Sequence, residues 1–228
     1  MYRHALKIFV IILSIVVLGS PLKKVCAQVD SDKGYKVEII AENPYFSQKY
    51  LARLEGVFYQ VYPKLVNDFN ENSPRKVTIT IDTTYDGVAY AHNGRVVISQ
   101  GWLEKNPEDI DVVTHEVMHI VQAYPPRSGP GWLVEGIADY VRDKYGVNNT
   151  GANWSLPDLK EGQHYTNSYR IAARFLKWIE LNKQKGIVKK LDVALRNKEY
   201  SDVIWVDNTK MTLDQLWDAY EKENIVIN

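Results

Sequence analysis

Two consecutive prolines constrain this chain more than any other feature. Pro125-Pro126 separates two amphipathic stretches. Two prolines in a row break a regular helix, since each lacks an amide proton and clashes with the preceding turn. The first stretch has a good helical start: Asn106 can cap, Pro107 suits the first position, and Glu108 and Asp109 complement the dipole. A helix is therefore expected from there to about Tyr124, and a second from Pro130 to just before Gly146. A connection as short as Pro125–Gly129 turns the two into an antiparallel hairpin.

That hairpin brings an uncommon set of side chains level with one another. The chain has 5 histidines, and two of them stand in "THEVMHIVQ". His115 and His119 are i and i+4, so both rings project from one face. His119 lies five residues before Tyr124 and Glu135 five after Pro130, which puts each about 7–8 Å from the connection. By the same count, His115 is level with Asp139. Zinc takes neutral imidazole readily, and Glu116 is placed to accept a proton from a water polarised by the metal. A third histidine in the pattern HExxHxxGxxH is excluded, because Gln122 replaces the glycine and Pro125 the histidine. Glu135 then completes a His₂Glu set for one zinc ion, and Asp139 can accept the second N–H of a ligand histidine. Gly136 is expected to let these two helices approach closely. The plainer alternative is an ordinary helix with hydrogen-bonded histidines, facing a solvated acidic row of Glu135, Asp139 and Asp143.

Elsewhere, "KVEIIA" (36–41) and "KVTITID" (76–82) alternate and read as strands, with an amphipathic helix between them from Ser47 to about Asn70. "GVAYAHNGRVVIS" reads as a hairpin turning at Asn93-Gly94. Helices are expected at roughly 166–184 and 186–198, and a last one after the capping box Thr212–Gln215. Trp178, Trp205 and Trp217 lie in apolar settings and are expected in the core. Strands first and helices after make this an α+β chain in one domain, residues 28–228.

Residues 1–27 read differently. Arg3 and Lys7 precede the apolar run Ile8–Leu18, and Val25-Cys26-Ala27 supplies small residues before a cut at Gln28. This is the layout of a cleaved signal peptide, so the protein is expected to be secreted or periplasmic. An uncleaved anchor is the alternative, since Lys23-Lys24 is unusual so near a cut. Cleavage removes the only cysteine and four basic residues but no acidic ones, leaving 24 Lys+Arg against 28 Asp+Glu. Such a mildly acidic chain gives no footing for nucleic acid or an anionic membrane surface, and no stable membrane association is expected after cleavage.

"HEVMHIVQ" followed by "GWLVEGIADYVRDKYG" resembles the plant basic secretory protein family of zinc peptidases, within the gluzincin group. "DGVAYAHNGRVVIS", "SYRIAARFL", "YSDVIWV" and "MTLDQLWDAY" match it in order, over roughly Lys36 to Glu221. The resemblance implies a zincin-like fold: a small mixed sheet with an edge hairpin packed on the metal-binding helix pair, then a helical C-terminal portion. It implies zinc on His115, His119 and Glu135, with Glu116 as base. A tyrosine at the place of Tyr169 suggests the donor that stabilises the developing oxyanion, with Tyr165 and His164 as rivals. Ala89, Tyr90 and Ala91 are implied to align a peptide or protein substrate along the sheet edge. The expected protein is a monomeric zinc peptidase; the other readings are an extracellular binding protein on the same scaffold without turnover, or a purely structural metal. The acidic mature chain departs from the "basic" in the family's name.

Overall fold

A computed structural model of the protein describes residues 34–224. The expected signal peptide, with Cys26 and the cut after Ala27, lies outside the described residues. Four strands and eight helices follow in chain order among the described residues: β1 Lys36–Ala41, α1 Gln48–Phe69, β2 Lys76–Asp82, β3 Ala89–His92, β4 Arg95–Ser99, α2 Gln100–Lys105, α3 Val112–Gln122, α4 Gly131–Tyr145, α5 Tyr169–Asn182, α6 Ile187–Arg196, α7 Val203–Thr209 and α8 Leu213–Asn224. The fold is α+β, with the helical C-terminal part that the pattern predicts.

The sheet order is β1-β2-β4-β3. β1 and β4 both run parallel to β2, while β3 returns antiparallel to β4 and forms one edge. α1 makes the crossover from β1 to β2, as a parallel pair requires. Ser47 caps it by accepting from the Tyr50 amide at 3.3 Å. In β2, Val77, Ile79 and Ile81 are fully buried while alternate residues are half-buried or exposed, so the strand offers one apolar face to the helices. The β3–β4 turn puts Asn93 and Gly94 at φ 49° and 74°, the left-handed pair that a two-residue hairpin needs.

Two expectations need correction. Asn106 does not open the helix that carries His115 and His119; it ends a separate short helix, α2, its side chain donating to the Trp102 carbonyl at 3.1 Å. α3 starts only at Val112. α2 and α7 are too short for a helical period to show in sequence, and packing of Leu103 and Trp205 holds them. Gly136 does not face α3. A Cβ there would come within 2.8 Å of the Ala172 Cβ and 3.4 Å of Leu176, both on α5. The glycine sets the approach of α4 to the helix behind the site, not to its partner across it.

Trp178, Trp205 and Trp217 are buried as expected. The Thr212–Gln215 capping box forms reciprocally, at 2.9 and 3.2 Å. No described helix is long and apolar enough to cross a membrane.

The α4–α5 contact yields a test. Alanine is the better helix former by about 1 kcal/mol, whereas overpacking costs about 1–3 kcal/mol. Gly136→Ala is therefore expected to lower the midpoint of thermal unfolding; a raised midpoint would show that the two helices part freely.

Candidate metal centre

α3 presents two faces. Val113, Val117, Met118 and Val121 are fully buried, and α1 packs against this helix. The opposite side carries His115, Glu116 and His119. The end of the helix is secured by outside partners for its last carbonyls: Asn70 donates to Val121 at 2.8 Å and Arg196 to Gln122 at 3.1 Å. Ala123 then turns left-handed, at φ 45°.

α4 passes α3 in the antiparallel register that the proline break predicts. At one end His115 Nδ1 meets Asp139 Oδ1 at 2.8 Å. At the other, Gln122 Nε2 donates to the Val134 carbonyl at 2.9 Å. Asp111, just before α3, is fully buried and accepts from the Val147 and Asn148 amides at 2.9 and 2.5 Å, tying the start of α3 to the chain leaving α4.

Between these ties, His115, His119 and Glu135 converge. His115 Nε2 lies 3.1 Å from His119 Nε2 and 3.2 Å from Glu135 Oε2, and His119 Nε2 lies 3.5 Å from the same oxygen. The outer bonds settle which ring nitrogens carry protons. A carboxylate oxygen accepts, so the bond to Asp139 takes its proton from His115 Nδ1. Gln122 spends its amide donor on Val134, so its Oε1 faces His119 Nδ1, 2.7 Å away, and accepts from it. In neutral rings both Nε2 atoms are then lone pairs, aimed with a carboxylate oxygen at one point. Three atoms held at about 2.0–2.1 Å from a tetrahedral zinc stand about 3.3 Å apart, which is the spacing found. The donor set fits the metal in kind, number and separation.

The same set draws positive charge even when only protons supply it. Burial opposes charge on His115, but Asp139 and Glu135 outweigh it and push the pKa up to about 10. Burial would raise Glu135; the two imidazoles hold it well below the usual carboxylate range instead.

Glu116 is buried, and its Oε2 has no hydrogen-bond partner. Burial raises its pKa, with His115 and His119 pulling only partly the other way. A structural glutamate this deep is normally satisfied, so an orphaned oxygen beside the donor set calls for a ligand.

His115, Glu116, His119, Gln122, Glu135 and Asp139 line a cleft of about 560 Å³, bounded on one side by Val88 and by Ala89 to Ala91 of the edge strand. Ala89, Tyr90 and Ala91 lie in the edge strand β3, on this wall of the cleft. Of the three oxyanion candidates, Tyr169 is brought to the cleft, as the first residue of α5 and half-exposed. Tyr165 is buried against Phe175 and Trp132, and the His164 ring lies on Tyr165 at 3.9 Å; neither lines the cleft. Asp139 is buried, not a solvated carboxylate, and Asp143 is bound to Lys177 at 2.6 Å.

Two parts of the site are defined only by the structure. Gln122 stands three residues after His119, a spacing that could have flagged a partner for that ring. The other is a buried pair at the far end of the cleft. Arg142 meets Asp109 at 2.5 Å, Asp109 also takes the Trp102 indole N–H at 2.8 Å, and the guanidinium lies 4.4 Å over Trp154. Its partner comes from a loop 33 residues away, which no local pattern reveals.

Breaking that pair from one side strands a buried charge, at a cost of about 3–5 kcal/mol. Asp109→Asn and Arg142→Met are each expected to destabilise strongly in urea unfolding, and the double variant to lose less than the sum; simple additivity would contradict the pairing.

No curated protein matches the chain. A family model described as a peptidase of plants and bacteria, BSP, matches residues 30–220, and the chain belongs to that family.

Proposed function

We propose that the protein is a secreted or periplasmic zinc-dependent peptidase in which His115, His119 and Glu135 hold one zinc ion and Glu116 is the base. One observation carries this reading: His115 Nε2, His119 Nε2 and Glu135 Oε2 converge at zinc spacing beside a buried carboxylate oxygen that lacks a partner. Membership of a peptidase family supports peptide or protein as substrate.

When bound, zinc supplies Lewis acidity, making a water more acidic and polarising the carbonyl it attacks. The chain's own groups do the rest. Glu116 takes the proton of the attacking water, and its burial makes it a stronger base than a solvated carboxylate. The same carboxyl then carries that proton to the leaving amine. The Tyr169 hydroxyl, on the cleft wall, donates to the oxygen that gains charge. Asp139 keeps His115 in the tautomer with Nε2 free. β3 has no strand partner on its outer side among the described residues, so an extended peptide can add there through backbone hydrogen bonds at Ala89, Tyr90 and Ala91.

Digestion of denatured casein with and without a chelator tests the proposal. Cleavage is expected only without chelator, and Glu116→Gln is expected to lower kcat by at least about 100-fold while zinc content stays unchanged. Chelator-resistant cleavage, or a fully active Glu116→Gln, contradicts the assigned chemistry. Zinc binding with no cleavage of any unfolded substrate favours a binding protein on the same scaffold.

A further inference from the structure

We infer that Gln122 is a positioning residue for the metal centre, one amide that orients the His119 ring and fixes its helix to the turn that carries Glu135. The inference rests on the zinc reading above. Gln122 is 2% exposed and ends α3. Its Oε1 accepts from His119 Nδ1 at 2.7 Å, and its Nε2 donates to the carbonyl of Val134, the residue before Glu135, at 2.9 Å. One side chain therefore touches a ligand ring on α3 and the backbone beside a ligand carboxylate on α4.

Its own base does not swing. The Gln122 carbonyl is held by Arg196 at 3.1 Å and the preceding carbonyl by Asn70 at 2.8 Å, both from outside the helix pair. The amide thus starts from a fixed point and can transmit that position to the imidazole.

The chemistry favours an amide over its neighbours in size. Methionine would fill the space but neither accept from His119 nor donate to Val134. Glutamate would accept from His119 but turn a second acceptor toward the Val134 carbonyl. It would also add a fourth carboxylate to Glu116, Glu135 and Asp139. The two ligand rings are therefore held differently, His115 by a carboxylate and His119 by a neutral group. That arrangement sets both tautomers while limiting the negative charge around the buried base.

The test measures zinc affinity by competition with a chromophoric chelator, using the mature wild type, Gln122→Met and Gln122→Glu, with circular dichroism to report folding. Gln122→Met is expected to bind zinc about 10–100-fold more weakly. Gln122→Glu keeps the acceptor for Nδ1 and is expected to recover most of that loss. In the zinc-loaded wild type, the His119 Nδ1 proton is expected to be present by nitrogen NMR and slow to exchange with solvent. This last readout stands even where a variant does not fold. A merely structural glutamine would lower the unfolding midpoint of both variants and leave zinc affinity unchanged, which overturns the inference. Equal weakening in both variants, or an unprotonated Nδ1 in the wild type, overturns it too. A wild type that takes up no zinc defeats the zinc reading itself, and the inference with it.

Discussion

Two imidazole nitrogens and a carboxylate oxygen, all within 3.5 Å of one another, repel unless a positive charge stands among them. The fold is arranged to hold them there. α3 and α4 are fastened to each other at both ends of the site, through Asp111 to the Val147 and Asn148 amides and through Gln122 to the Val134 carbonyl. Between those ties the helices cannot slide by a turn without breaking a buried hydrogen bond, which costs about 1–3 kcal/mol per orphaned group. Helix ends fixed in this way make the separation of the three donors a property of the scaffold, set before any ligand arrives.

The rest of the molecule serves this pair. α1 backs α3, α5 backs α4 with Gly136 setting the distance, and the sheet lays its edge strand along the open side. One rim of the cleft is thus extended backbone with no strand partner on its outer side among the described residues, and the other is the donor set with Glu116. On the proposed function, an extended peptide between them would have its main chain held by β3 and a carbonyl turned toward the helices. The far end is closed by Trp102, Asp109, Arg142 and Trp154, drawn from four separate segments. Burial of that ion pair ties α2, α4 and the loop after α4 into one wall.

Periodicity and proline chemistry made much of this legible in the sequence. The alternation of "KVTITID", the Asn93-Gly94 turn and the break at Pro125-Pro126 each carry a local cause, and each element stands where that cause puts it. The meeting of His115 with Asp139 followed from counting residues on either side of that break. What stayed hidden depends on contacts distant in sequence. Asn106 has good capping chemistry for either helix beside it, and only the packing of Leu103 decides that it ends α2. Gly136 could serve a close approach to either neighbour, and nothing local says that Ala172 is the one it meets. The Asp109–Arg142 pair joins a loop to a helix through the tertiary fold alone, and Gln122 was legible only as the residue that breaks a different motif.

The central claim is that these three side chains bind one zinc ion. Elemental analysis of the protein, purified without added metal and compared with Glu135→Ala, tests it most directly. The account predicts one zinc per chain in the wild type and a large loss in the variant. A wild type without zinc, or a variant that keeps it fully, would contradict the account.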